Sequence, residues 1–125
     1  MKAVVCTAYG PPEVLRLKEV EPPRLRRNGI CIHLFATAVT ASDCIVRGLK
    51  LRGRYRLFMR VAFGFRAPRR GIIGMVLAGT IESVGRNVTL FKPGDEVFGI
   101  GKGSFAEYAR ASENKLEAKP ANLSF

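Results

Sequence analysis

Two hydroxyl side chains and one carboxylate lie within four residues of each other in Thr40-Ala41-Ser42-Asp43. A positioned hydroxyl can pass a proton to a substrate oxygen, so Thr40 and Ser42 have the side-chain type that such chemistry needs. The same residue types also satisfy the free N–H groups at the start of a helix, which gives both hydroxyls an alternative role as helix caps. On either interpretation we expect a short helix that begins here and ends near Gly48.

Residue types that bind metals are few and scattered along the chain. Cys6, Cys31 and Cys44 form an odd set without a C-x-x-C pair, which is more typical of free thiols in a reducing compartment than of a secreted disulfide scaffold. The one histidine, His33, lies inside an apolar run, where a core histidine is more common than a ligand. A catalytic zinc needs three protein ligands and an open position. The cysteine usage leads us to expect a cytoplasmic protein, and the lone histidine gives no sign of a metal site.

The glycine-rich segment Gly99-Ile100-Gly101-Lys102-Gly103 invites comparison with a phosphate-binding loop. Its glycines lack the G-x-G-x-x-G spacing, and a strand pattern rather than a helix follows them. We interpret this segment as a flexible turn.

The basic residues concentrate in one segment of the chain. Residues 47–70 contain nine Lys or Arg and no Asp or Glu, and they supply most of the formal net charge of +11. Four aromatic residues are interleaved with these charges: Tyr55, Phe58, Phe63 and Phe65. Such a segment could hold phosphates and stack on bases, so the alternative function is a basic binding module for nucleic acid or anionic surfaces. A solvated basic loop is the simpler interpretation of this segment. We expect neither nucleic acid nor a membrane to be a partner.

The 125 residues are enough for one domain with a single core. The sequence has no apolar run of about 20 residues and no secretory signal. Residues 30–39 are apolar at successive positions, which predicts a strand buried on both faces, whereas residues 49–70 show no period and should be more mobile than the rest. Residues 119–125 are typical of a linker. Strand patterns separated by Gly/Pro turns predict a mainly β, barrel-like domain, with strands at residues 2–7, 14–20, 30–39, 76–84, 96–100 and 104–110.

Several segments, in order, resemble quinone reductases of the medium-chain dehydrogenase/reductase superfamily. They are MKAVV with YGPPEVL (1–5 and 9–15), ATAVTASD (36–43), GMVLAGTIESVG (74–85), FKPGDEV (91–97) and GSFAEY (103–108). Only residues 49–70 match weakly. The resemblance implies a GroES-like, partly open β-barrel with one or two short helices over residues 1–125, which form the substrate-side domain. A Rossmann domain that binds NAD(P) is expected downstream and is absent from this chain.

The resemblance also implies roles for individual residues. The zinc-dependent branch has a cysteine ligand at the position of Thr40 and Gly-His-Glu at the position of Gly74-Met75-Val76, so the resemblance implies the zinc-free branch. Thr40 would then face the nicotinamide and help to bind the cofactor. Ser42 matches the hydroxyl that relays protons in alcohol dehydrogenases. Asp43 would hold the corner together, and Ile45 replaces a tyrosine frequent in quinone reductases, which leaves the substrate open.

The implied function is hydride transfer from NADPH or NADH to quinones or α,β-unsaturated carbonyls, because these substrates delocalise negative charge onto oxygen without a metal. The implied partners are the small-molecule quinone or enone and the Rossmann domain, and a homodimer is one possible assembly. We expect the 125-residue chain alone to be inactive. It should expose an apolar face where the second domain belongs.

Overall fold

The N-terminal hairpin consists of strands β1 (Lys2–Cys6) and β2 (Leu15–Glu19), which pair antiparallel from Lys2 opposite Glu19 to Cys6 opposite Leu15. A 3-10 turn at Pro12–Val14 connects them, as the proline-rich turn sequence predicts. The hairpin is joined to the rest of the chain by backbone bonds, including Val4 N–H to the Phe105 carbonyl at 2.8 Å. The computed structural model in which these contacts occur describes residues 1–49, 52–69 and 71–125.

The main sheet has five antiparallel strands in the order β6-β3-β4-β5-β7. Their bounds are β3 (Ile30–Ala38), β4 (Val76–Val84), β5 (Glu96–Ile100), β6 (Tyr108–Ala111) and β7 (Leu116–Ala118). A bridge between Lys102, which follows β5, and Arg110 of β6 brings the two sides of the sheet together. The core lies inside the curved sheet and consists of Ile30, Ile32, Leu77, Ile81, Val97, Ala109, Ala111 and Leu116. With two helices, this architecture confirms the mainly β, partly open barrel.

Strand β3 is buried only in its first part, so the prediction of a strand buried on both faces along residues 30–39 is wrong. Strand β6 pairs with β3 only as far as His33, and beyond that point β3 has a neighbour on one side. Phe35 in the second part of the strand is 59% exposed, and Val39 just beyond it is 72% exposed. His33 is half-buried between the rings of Phe35 and Tyr108, at centroid distances of 5.2 and 5.0 Å, rather than enclosed in the core.

Two helices follow β3: α1 (Ala41–Gly48) and α2 (Arg54–Phe63). Helix α1 begins and ends where its sequence predicts. The sequence did not reveal α2, and the interpretation of this stretch as a basic loop is wrong for residues 54–63. None of the residues of α2 is buried, so this helix lacks the buried apolar face by which a packed helix is recognised. The expected mobility of residues 49–70 stays a prediction, and residues 50, 51 and 70 lie outside the described residues.

The turn at residues 92–95 forms where local chemistry specifies it. Gly94 has φ +93°, and the Asp95 N–H donates to the Lys92 carbonyl at 3.2 Å, as a type II turn requires. The segment 99–103 is not simply a turn, because Gly99 and Ile100 complete β5 and Gly101 packs against the backbone of β6. Strand β6 begins at Tyr108 rather than at residue 104, and the sequence did not predict β7.

Across the described ranges, we find no helix with the length and hydropathy needed to cross a membrane.

Candidate functional site at the strand-to-helix corner

The corner between β3 and α1 is closed by hydrogen bonds between Thr40 and Asp43. Thr40 is the N-cap of α1, with extended backbone (φ −108°, ψ 164°). Its Oγ1 accepts from the Asp43 N–H at 3.4 Å, and its own N–H donates to Asp43 Oδ2 at 2.8 Å. This reciprocal capping box satisfies two N–H groups that the first turn of a helix would otherwise leave without a partner. The helix cap is therefore Thr40 and not Ser42.

The carboxylate of Asp43 is the buried centre of the corner. Asp43 is only 4% exposed, and its Oδ2 receives a second hydrogen bond from the Thr40 hydroxyl at 2.8 Å. The N-terminus of α1 adds a favourable electrostatic field for a negative group in its first turn. These contacts confirm that Asp43 holds the corner together.

Ser42 has a different environment from Thr40. It lies in the first turn of α1 and is exposed, and its hydroxyl makes no hydrogen bond within the described part of the chain. The hydroxyl hydrogen of Thr40, by contrast, is donated to Asp43. Of the two predicted site residues, only Ser42 has a hydroxyl hydrogen that is available to a ligand or to solvent.

The loop before β4 forms the other side of the corner. Ala38 pairs with Val76, so Thr40 and Met75 lie just beyond the same edge of the sheet. Gly74 has φ +98°, and a Cβ at this position would lie 2.8 Å from the ring of Phe105, so this tight loop needs glycine. The Met75 side chain is 42% exposed beside this edge.

The buried Ser104 packs against this loop at Gly74. Ser104 is 1% exposed, and its Oγ lies 3.0 Å from Thr37 Oγ1, within hydrogen-bonding distance. The Thr37 hydroxyl also donates to the Val76 carbonyl at 2.7 Å, which ties β3 to the start of β4. The sequence alone does not point to Thr37 or Ser104, because nothing local marks a serine as buried.

Metal-ligating groups do not converge at the corner. No three His, Cys, Asp or Glu side chains within residues 1–49, 52–69 and 71–125 are placed to hold a metal ion together. Burial raises the pKa of the Cys6 and Cys31 thiols, which favours the protonated form over the thiolate that binds metals. Zinc independence stays a prediction based on the residues at the two ligand positions.

The segment 119–125 packs against the outer face of the sheet rather than extending away as a linker. The ring of Phe125 stacks on Phe35 at a centroid distance of 4.9 Å, and Lys119 Nζ lies 5.2 Å from the Phe125 ring. The same Nζ pairs with Glu96 Oε2 at 3.0 Å. Between this segment and Phe98 lies a mostly apolar hollow of about 210 Å³.

A larger cleft of about 400 Å³ lies away from the corner, beside the beginning of β3. Its charged lining consists of Arg26, Arg27, Lys102, Arg110 and Lys115. Strand β3 is nine residues long, so its two ends are separated by about 25 Å. The lining of the cleft includes one hydroxyl, that of Ser112, but no carboxylate. Because the cleft lacks the paired hydroxyl and carboxylate of the corner, we place the candidate site at the corner.

Comparison with known families and proteins gives consistent matches along the chain. The family described as "Alcohol dehydrogenase GroES-like domain" matches residues 26–121. A quinone oxidoreductase from Lama guanicoe is 33% identical over 128 aligned residues, which cover 100% of this chain and 35% of that protein. This chain therefore spans about a third of the length of the curated relatives that it matches.

Solved structures show the same relationship. A quinone oxidoreductase from Coxiella burnetii superimposes with a TM-score of 0.84 at 28% identity, over 100% of this chain and 38% of that one. A mycobacterial protein solved in complex with NADPH gives a TM-score of 0.80 at 25% identity, over 99% of this chain and 35% of that one. In both cases the similarity extends through the corner.

Proposed function

Because the chain belongs to the family of alcohol dehydrogenase GroES-like domains, in the medium-chain dehydrogenase/reductase superfamily, we propose that it is the substrate-side part of a zinc-independent, NAD(P)H-dependent oxidoreductase. The proposed substrates are quinones or α,β-unsaturated carbonyls. The observation that carries the proposal is the corner, where Thr40 and Asp43 bond to each other and leave the Ser42 hydroxyl exposed. Similarity to a quinone oxidoreductase over the whole chain supports the substrate class.

The residues at the corner suit a substrate that needs no metal for activation. Thr40 and Met75 offer a hydroxyl oxygen and a thioether, which are poor zinc ligands. A quinone or enone accepts hydride at carbon while the negative charge delocalises onto its carbonyl oxygen. One proton at that oxygen neutralises the charge and gives an enol, which tautomerises to the hydroquinone or the saturated carbonyl. A reduced nicotinamide supplies the hydride when it is bound.

Ser42 and Thr40 have separate roles in this proposal. The Ser42 hydroxyl is exposed and free to donate, so it passes a proton to the substrate oxygen and recovers one from solvent. Thr40 gives its hydroxyl hydrogen to Asp43, so it can offer a ligand only an oxygen lone pair. That lone pair is suited to accept an N–H of the nicotinamide carboxamide. Thr40 is thus proposed as a cofactor-binding residue that Asp43 keeps oriented.

The nucleotide half of the cofactor requires residues outside this chain. The glycine-rich segment 99–103 is occupied by β5 and its contact with β6, and it does not form a loop that opens a helix. We propose that a downstream Rossmann domain supplies the pyrophosphate and ribose contacts. Val39 and Met75, which are 72% and 42% exposed beside the corner, form the apolar wall that this domain would cover to exclude water.

The test compares the chain alone with the chain joined to its natural downstream domain, in an assay of quinone- or enone-dependent NADPH oxidation. The joined protein should turn over and the chain alone should not. In the joined protein, Ser42→Ala should lower kcat by about a hundredfold, the lower range for loss of a positioned acid. Ser112→Ala, which removes an exposed hydroxyl far from the corner, is the matched control. Equal activity of Ser42→Ala and the parent would refute the proton-donor role, and turnover by the chain alone would refute the division between two domains.

A further inference from the structure

Helix α2 presents apolar side chains to solvent along most of its length. Tyr55 is 75% exposed, Leu57 61%, Phe58 67% and Val61 52%. Phe65, just beyond the helix, is 59% exposed. A surface helix ordinarily turns its apolar side chains towards the core and its polar ones outwards. The exposure of α2 is the reverse of that arrangement.

Helical geometry places three of these exposed side chains on one face of α2. At 3.6 residues per turn, Leu57, Phe58 and Val61 lie within about 100° of the helix circumference. Met59 and Arg60 lie on the opposite side, and they are the residues of the helix that are partly buried. The helix therefore contacts the domain with Met59 and Arg60 and presents an aliphatic and aromatic outer face, defined here as Leu57, Phe58 and Val61.

Specific contacts fix this orientation. The Tyr9 hydroxyl donates to the Gly64 carbonyl at 2.7 Å, and the Gly64 N–H donates to the Arg60 carbonyl at 2.9 Å. Gly64 has φ +128° and lies too close to the Ala67 carbonyl for any side chain to fit. Since the C-terminal end of α2 is attached to the hairpin turn in this way, the helix cannot rotate its outer face inwards without breaking these bonds.

The charged residues of α2 and of the chain on either side of it are all positive. Arg52, Arg54 and Arg56 are exposed at the N-terminal end of the helix, and the sequence contains no Asp or Glu between Asp43 and Glu82. The ion pairs found among the described residues involve Met1 with Glu19 and Lys119 with Glu96, and none involves α2. An apolar face beside arginines without acidic neighbours is complementary to a surface that is apolar inside and anionic outside.

We propose that the outer face of α2 binds the surface of an anionic lipid bilayer. Leu57, Phe58 and Val61 enter the boundary between headgroups and acyl chains, while Arg52, Arg54 and Arg56 pair with lipid phosphates and carboxylates. Nucleic acid explains the arginines but not the apolar face, because interfaces with nucleic acid are polar and offer no apolar phase for Leu57 and Val61. The inference does not depend on the proposed enzymatic function.

The absence of tryptophan from the chain provides a direct test. Phe58→Trp places a single reporter on the outer face, and Leu90→Trp places one at a site of nearly equal exposure, 69% against 67%, elsewhere on the surface. With vesicles of phosphatidylcholine and phosphatidylserine, emission from Phe58→Trp should shift to the blue and be quenched by brominated lipid. Vesicles of phosphatidylcholine alone should have little effect. Equal responses of the two reporters, or no response from either, would overturn the proposal.

Two variants that each lose three positive charges distinguish binding by the outer face of α2 from attraction caused by the overall charge of the protein. Arg52→Gln, Arg54→Gln and Arg56→Gln together remove three charges beside α2. Arg26→Gln, Arg27→Gln and Lys102→Gln remove three charges from the cleft described above.

Each basic residue close to an anionic membrane contributes a factor of about five, so the α2 triple variant should lose roughly a hundredfold in vesicle co-sedimentation. The cleft variant should bind nearly as well as the parent, and circular dichroism should show that both variants are folded. Equal losses in the two variants would show non-specific attraction instead. Tight binding to a non-specific oligonucleotide without binding to vesicles would assign the segment to nucleic acid, and a blue shift without lipid would assign it to contacts between copies of the chain.

Discussion

Thr40→Val tests whether the corner between β3 and α1 depends on the pairing of Thr40 with Asp43. The substitution keeps the shape of the side chain and removes the hydroxyl. Two hydrogen bonds are lost: the one that Thr40 Oγ1 accepts from the Asp43 N–H at 3.4 Å, and the one that it donates to Asp43 Oδ2 at 2.8 Å. Because Asp43 is only 4% exposed, water cannot readily replace the lost donor.

The expected cost follows from these two contacts. Losing an N-cap typically costs about 1 kcal/mol, and losing a hydrogen bond to a charged, buried acceptor costs about 1.5–3 kcal/mol. Since one hydroxyl makes both contacts, we expect Thr40→Val to lower the free energy of unfolding by about 2–3 kcal/mol rather than by the full sum. Thr40→Ser keeps the hydroxyl and should cost less than about 1 kcal/mol. Ser42→Ala removes an exposed hydroxyl and should stay within about 0.5 kcal/mol of the parent.

Guanidinium unfolding followed by far-ultraviolet circular dichroism measures these differences, because the chain has no tryptophan for fluorescence. Adding Thr40→Val to Asp43→Ala should cost only about 1 kcal/mol more, because the acceptor Oδ2 is already lost and only the N-cap bond from the residue-43 backbone N–H to Thr40 Oγ1 remains to be removed. If Thr40→Val and Ser42→Ala destabilise the chain equally, or if the two losses at Thr40 and Asp43 add fully, the corner is not held as we describe.

Three further predictions concern the rest of the molecule. After dialysis against a mild chelator the protein should contain no stoichiometric zinc, and elemental analysis that finds about one zinc per chain would contradict the assignment to the zinc-free branch. Hydrogen exchange should be faster in α2, which buries none of its residues, than in the buried start of β3, and equal protection would contradict this. The N–H groups of Thr89 and Leu90 donate to Glu113 and hold the pKa of its carboxyl below the ordinary 4.5. The contribution of Glu113 to the free energy of unfolding should therefore be fully present above its unfolded-state pKa and should be lost as the pH falls through its lower folded-state pKa. Glu113→Gln should reduce this loss of stability in acid. Glu117→Gln, which changes an exposed residue of β7, should not reduce it.

The elements that the sequence predicted well are those specified by local chemistry. Strand β4 has the predicted bounds because its pattern runs between a glycine-rich loop and the turn at Gly85-Arg86-Asn87. Helix α1 begins at its hydroxyl and carboxylate caps, and the turn at residues 92–95 depends on Pro93 and Gly94. In each case the residues that determine the structure are neighbours in the chain.

The features that the sequence did not predict depend on contacts between distant segments. Strand β7 is short and is defined by its pairing with β5. The exposure of the second part of β3 depends on what covers the faces of the sheet there, which the apolar sequence of β3 does not encode. At the site, the resemblance to quinone reductases identified Thr40 and Ser42, but only the geometry shows which hydroxyl caps the helix. Ser104 becomes relevant only because the fold brings it to Thr37.

The corner and the outer face of α2 belong to consecutive elements, since α1 ends at Gly48 and α2 begins at Arg54. A quinone with an apolar tail concentrates in lipid, by about 0.8 kcal/mol for each buried CH₂ group, so a reductase held at the bilayer meets it at high local concentration. If both proposals hold, the chain joined to its downstream domain should reduce a long-chain quinone in anionic vesicles faster than the variant that lacks Arg52, Arg54 and Arg56. A short, water-soluble quinone should be reduced equally by both proteins. Equal slowing with both quinones would place the arginines in catalysis, and no slowing with either would show that the membrane does not deliver the substrate.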